Sequence, residues 1–260
     1  MEFGYGAEDG PTHWILTCPN AGGHHQSPID IETELVKFDH KLHEHHLHID
    51  FEKEHHPEVK NNGHSFEVEI EEHSTLTGGI LEKEEYHLKQ FHFHWGVTDY
   101  TGQNIRSMGN IMPQRWVLHF VTYDHKKYGT FKEAVSKKDG LAVLAVFIEE
   151  GKHEHKEFEK LCELMSKVEK AHTSTHMKHG LHPSKLLPSD TTKYYTYPGS
   201  LTTPPLSESV TWIVMAEPIH VSEHQLKSLR HLKDADGGHL ENNFRPTMPL
   251  GDRVVKASFK

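Results

Sequence analysis

Along Gln90-Phe91-His92-Phe93-His94-Trp95 large aromatics alternate with two imidazoles. In an extended chain successive side chains point to opposite faces, so His92 and His94 share one face while Phe91, Phe93 and Trp95 share the other. A face of aromatics has to be covered, which makes Tyr86 to Trp95 a central strand with a core behind it. The opposite face then offers two potential metal ligands in a setting where an unpartnered imidazole is costly.

Spacing alone does not single out this pair. Histidine supplies 27 of 260 residues, enough for about three His-x-His pairs by chance, and further pairs stand at 43/45, 46/48 and 153/155. Those lie among Glu, Lys and His, the composition of a solvated surface. Only 92/94 is set among aromatics, where a bound metal accounts for the pair better than two core imidazoles satisfied by backbone groups.

Charge and hydropathy narrow the function classes. A formal charge of -10 and a pI near 6.2 argue against nucleic acid or an anionic membrane as partner. The longest apolar run, Leu141 to Ile148, is eight residues, far short of the roughly 20 that span a bilayer, and reads as a buried strand. The N-terminus, Met1-Glu2-Phe3-Gly4-Tyr5-Gly6, lacks the basic-then-apolar order of a secretory signal. With no linker, repeat or change of composition, residues 1–260 are expected to form one domain. Cys18 and Cys162 are the only cysteines, and a reducing compartment fits them.

Taken in order, residues 1–30 read as an irregular, ordered lead-in. From His40 to His56 seven histidines lie among acids and lysines, and strand alternation sets His43 and His45 on one side, His46 and His48 on the other. Asn61-Asn62-Gly63-His64 reads as a turn before the alternating Phe66, Val68 and Ile70. Residues 96–115 read as a loop or weak edge. Trp116 to Tyr123 is again a strand, on which His119 shares its face with Val117 and Val121. Helical spacing appears at 131–138 and over Phe158, Leu161, Cys162, Met165 and Val168. Residues 172–205 read mostly as loop, with histidines at 172, 176, 179 and 182. Val210 to Met215 is a strand and Asn243 begins an extended tail. The fold class is mainly β (α+β), with a few short helices.

With these residues in place, the chain resembles the α-type carbonic anhydrases nearly end to end. The resemblance is carried by Gly10-Pro11-Thr12-His13-Trp14, Gln26-Ser27-Pro28-Ile29-Asp30, Asn61-Asn62-Gly63-His64, Gln90 to Gly96 and Gly140-Leu141-Ala142-Val143-Leu144, and further on by Tyr197-Pro198-Gly199-Ser200-Leu201-Thr202-Thr203-Pro204-Pro205 and Arg245-Pro246. It implies a single domain on a large twisted, mostly antiparallel sheet, with Zn²⁺ at the bottom of a conical cleft. His92, His94 and His119 match the zinc ligands, and Thr202 matches the threonine that orients the zinc-bound hydroxide, with Thr203 beside it. His64 matches the proton shuttle, and Tyr5 and Asn62 match residues of the proton pathway. Val121, Val143, Leu201 and Trp212 match the apolar wall where carbon dioxide rests.

The chemistry agrees with this assignment. Three neutral imidazoles leave Zn²⁺ its full charge and one open position, which brings a bound water to a pKa of about 7. Proton export needs a group titrating near neutrality, as a free imidazole does, and that is the task His64 would suit.

Two departures set the expected rate. The family's glutamate that accepts the threonine hydroxyl's hydrogen bond falls near Ile105, and Asp99 is the only acid between His94 and His119. Val117 stands where the family has a glutamate accepting from His119. Losing such a partner costs about 10- to 100-fold, and losing an orienting contact costs roughly 10²- to 10³-fold. The expectation is a slow, zinc-dependent carbon dioxide hydratase acting on carbon dioxide and bicarbonate.

The other 23 histidines lead to a different class of function. Protonating all 27 would move the formal charge from -10 to +17, so the chain is a strong pH buffer, and its surface histidine clusters could hold further divalent metals. The alternatives are therefore a histidine-rich metal store or carrier with an impaired catalytic centre, and a binding module that uses the cleft for a ligand or partner. The expected state is a cytoplasmic monomer with no membrane span, the alternative location being a body fluid. In secreted relatives a cysteine near the position of Cys18 bonds to one just after Thr-Thr-Pro-Pro, and here Leu206 occupies that second place.

Overall fold

Strand Tyr86–His94 is flanked by Phe66–Glu69 and by Trp116–Asp124, both antiparallel to it. The computed structural model describes residues 3–71, 73–96, 110–111 and 116–260. Beyond Trp116–Asp124 the sheet continues through Leu141–Glu150, Val210–Met215 and Tyr194–Gly199. Thirteen strands join in this sheet among the described residues, from Thr173–His176 at one edge to Lys37–Phe38 at the other. Most pairings are antiparallel. Leu141–Glu150 runs parallel to Val210–Met215 and to Ile219–Val221, and Lys256–Ala257 runs parallel to Lys37–Phe38. Of the stretch read as a loop or weak edge, Asn110–Ile111 pairs with Ile31–Glu32 in a separate two-stranded ladder.

Alternation sorts the apolar residues onto two faces. Phe91, Phe93 and Trp95 bury against Phe66, Leu118, Phe120 and Phe158 on one face. Val117, Val121, Val143, Ala145 and Trp212 form a second cluster on the other. Leu141 to Ile148 feeds both clusters, which is why that run is apolar without interruption. His119 therefore emerges beside Val117 and Val121, as the sequence pattern requires.

Helix Lys156–Met165 covers the first core with Phe158, Leu161 and Met165, and the His155 ring nitrogen accepts from the Phe158 amide at its start. The helical reading at 131–138 shrinks to Phe131–Ala134, capped by Thr130. Three readings are amended. His40–Glu44 is a helix capped by Asp39, so strand alternation does not govern His43, and only Leu47–Asp50 extends the chain again. Residues 172–205 are mostly loop, as read, but they also hold the strands Thr173–His176 and Tyr194–Gly199, which the loop reading left out. Helix Glu223–Leu229, closed by a Ser222/Gln225 capping box, went unread.

Candidate metal centre

His92 lies directly opposite His119 in the ladder between Tyr86–His94 and Trp116–Asp124, and His94 is one alternation further along. The three rings meet with centroids 4.9 Å (His92/His94), 5.4 Å (His92/His119) and 4.7 Å (His94/His119) apart. One nitrogen from each can be chosen so that all lie within 4.8 Å of one another. His94 and His119 are buried and His92 is half-buried.

Their hydrogen bonds fix which nitrogens converge. His94 Nδ1 lies 2.6 Å from the backbone oxygen of Asn243, and His92 Nδ1 lies 2.9 Å from Gln90 Oε1. Both oxygens only accept, so each Nδ1 carries the proton and each Nε2 presents a lone pair. Yet the two Nε2 atoms are 3.0 Å apart. Two lone pairs at that distance repel unless a cation or an added proton lies between them. Burial opposes the proton: desolvation holds His94 down to about 4 and holds His92 and His119 well below the ordinary imidazole value, with neighbouring rings adding to the effect for the latter two. The donor set therefore fits a divalent metal, and three neutral nitrogens with an open fourth position suit Zn²⁺.

The pattern of the eukaryotic-type carbonic anhydrase family matches residues 9–259. The chain belongs to that family. It is 44% identical to carbonic anhydrase 7 of Homo sapiens and 42% identical to carbonic anhydrase 7 of Mus musculus, each over 265 aligned residues that cover 99% of this chain and 97% of the relative. Carbonic anhydrases are lyases, so membership supports an enzyme.

Of the other residues singled out in the sequence, Thr202 and Trp212 share a cavity with His94 and His119. Thr202 lines a small cavity of about 60 Å³ together with His94, His119 and Val117. Its loop is held by the Leu201 amide donating to Ser207 O (3.0 Å) and the Leu206 amide to Thr203 O (2.9 Å), and by reciprocal bonds between Ser200 and Ser27. Trp212 donates its indole N–H to Ser200 O at 3.0 Å and sets its ring edge-on to His119. Val121, Val143 and Trp212 are buried in one cluster, with Leu201 packed against it. Thr203 is half-buried next to Thr202.

Val117 points into the same cavity, which is otherwise lined mainly by apolar groups such as Phe147 and Val214. An isopropyl group accepts no hydrogen bond, so Val117 itself offers His119 no acceptor. Asp99 and Ile105 lie outside the described residues.

His64 stands at the expected turn. Asn62 Oδ1 accepts from the His64 and Ser65 amides, and Asn62 Nδ2 donates to Glu67. The half-buried His64 ring stacks on Phe3 at 3.9 Å. Burial, then His172, lowers its pKa, and Asp9 opposes the shift. The Tyr5 hydroxyl is enclosed with no hydrogen-bond partner among the described residues, its ring edge-on to Trp14, and burial pushes its pKa up.

Two residues of the centre had no role in the sequence reading. Gln90 was legible, being two residues before His92 and on the same face. Asn243 gave no local signal. Its backbone oxygen holds His94 from 149 positions away, while its side chain accepts from the Trp95 amide and donates to His64 O and Phe93 O. The dense histidine stretches form no three-ligand group among the described residues. The second such group is His73, Glu85 and His87.

Proposed function

We propose that the chain catalyses the reversible hydration of carbon dioxide with Zn²⁺ held by His92, His94 and His119, at a rate below that of carbonic anhydrases carrying both glutamates. The observation that carries this reading is the pair of Nε2 lone pairs facing each other at 3.0 Å, opposite a third buried imidazole. When bound there, Zn²⁺ supplies the Lewis acidity that makes a water nucleophilic at neutral pH.

The protein groups do the rest. Gln90 and Asn243 hold two rings in the tautomer that presents Nε2. The Thr202 hydroxyl is set to hydrogen-bond the nucleophile and fix its direction. Val121, Val143, Leu201 and Trp212 exclude water from the side where an apolar substrate rests, and Thr203 borders it. His64, kept neutral by burial, accepts the released proton on its ring nitrogen and passes it to solvent, along a path bordered by Tyr5 and Asn62. Val117 supports the reduced rate, because His119 loses an orienting acceptor.

Stopped-flow carbon dioxide hydration by the zinc-loaded protein tests the proposal. We expect a rate above buffer, roughly 10²-fold or more below relatives with both glutamates, that His119→Asn abolishes together with zinc retention. No rate above buffer sinks it. Both cysteines are free, Cys18 being buried against Trp14 and Leu206 with its thiol donating to Pro205 O. That supports a reducing, cytoplasmic setting, and since one chain supplies all three imidazoles, a single-domain monomer as the working unit. No helix among the described residues is long and apolar enough to cross a membrane.

A further inference from the structure

We propose a second metal site, formed by His73, Glu85 and His87, that takes one exchangeable first-row divalent cation. Each residue offers one ligand atom, and the three atoms lie within 4.8 Å of one another. Glu85 and His87 flank Tyr86, which is buried in the first core, so alternation turns both away from that core. Thr75 lies opposite His87 in register, and the chain just before it brings in His73, whose ring sits edge-on to His87 with centroids 4.6 Å apart.

The separation of two of the ligand atoms suits a coordination polyhedron. With bonds of about 2.05 Å, neighbouring ligand atoms are separated by about 2.9 Å in an octahedron and about 3.3 Å in a tetrahedron. His87 Nε2 and Glu85 Oε1 are 3.1 Å apart. A plain His–Glu hydrogen bond has the same length, but it does not account for His73, whose ligand atom lies within 4.8 Å of both. The fourth imidazole nearby is not a ligand. His125 stacks on His87 at 4.6 Å and turns Nδ1 to the Tyr123 hydroxyl at 3.2 Å, which holds the His87 ring in place without competing for the cation.

A register shift between Leu88 and Gln90 reverses the alternation along strand Tyr86–His94. His87 therefore lies on the same side as His92, about 16 Å along the strand. Two imidazoles and one carboxylate leave positions for water, and the exposure of His73 and Glu85 makes the cation exchangeable. The site does not depend on the zinc centre or on catalysis.

Calorimetric titration with Ni²⁺ of the protein whose three-histidine centre is already filled with Zn²⁺ provides the test. The wild-type chain should show one equivalent that binds at least tenfold more tightly than the remaining histidines. His73→Ala and His87→Ala should each abolish that equivalent, and Glu85→Gln, which keeps the size and hydrogen bonding of the side chain, should weaken it by tenfold or more. Hydration rate and zinc content should stay unchanged in all three variants. An unchanged Ni²⁺ titration in the variants overturns the site, whatever the hydration assay gives.

Discussion

Gln90, Val117 and Cys162 each turn a local environment into a measurable property. Gln90 Oε1 holds His92 through Nδ1. Replacing Gln90 with Leu should lower zinc affinity by about 10- to 100-fold, read as faster zinc loss to a chelator. Val117→Glu places an acceptor beside His119, for which none is seen among the described residues, and should raise hydration rate or zinc retention by about 10-fold or more. An unchanged rate and retention would mean that the cavity beside His119 does not let a carboxylate reach the ring. Burial pushes the Cys162 thiol up from 9.0 to about 12. A raised folded value keeps the thiol protonated at pH 8.5, so Cys162 should alkylate far more slowly than in the unfolded chain, as mass spectrometry of the labelled peptide would record. The same sign means that the contribution of Cys162 to stability is fully present below pH 9 and is lost above it, where the unfolded chain releases the proton first.

At the scale of elements, strands with a marked apolar pattern were legible and short capped elements were not. Tyr86–His94, Trp116–Asp124, Leu141–Glu150 and Val210–Met215 follow from their apolar pattern, because each must serve one core or two. Tyr194–Gly199 was obscured by Pro198, which has no N–H for a ladder and marks turns more often than strands. Helix His40–Glu44 was hidden by its histidines, although Asp39 at its start is a strong cap. Glu223–Leu229 carried a readable signal in Ser222 and Gln225, whose side chains satisfy each other's backbone amides. Ser222→Ala should cost about 0.5–2 kcal/mol, measured as a lower urea midpoint with unchanged slope. A loss below that range would assign the helix to packing by Leu226 and Leu229 instead.

For the whole molecule, metal and fold are linked. Opposed lone pairs on His92 and His94 beside the buried His119 are unfavourable by themselves, so a cation that binds only the folded chain stabilises it by about 4 kcal/mol at a thousandfold excess over its dissociation constant. Stripping zinc should lower Tm, re-adding it should restore Tm, and His119→Asn should remove most of the difference. The same burial corrects the buffering estimate. His92, His94 and His119 stay neutral where ordinary histidines protonate, so mild acid does not reach the charge counted from all 27.

From the sequence alone came the central strand and the side on which His92, His94 and His119 stand, because strand alternation is a local rule that needs no partner, whereas the departure at Val117 is visible only through the family resemblance. Tertiary structure decided what acts across distance: that Asn243 O seats His94, that Asn62 shapes the His64 turn against Phe3, and that a register shift brings His87 to the side of His92. The densest histidine stretches hold no three-ligand group among the described residues, and the second such group forms where the chain sets His73 beside Glu85 and His87. Ligand convergence depends on where strands meet, and a one-dimensional count of residues does not contain that.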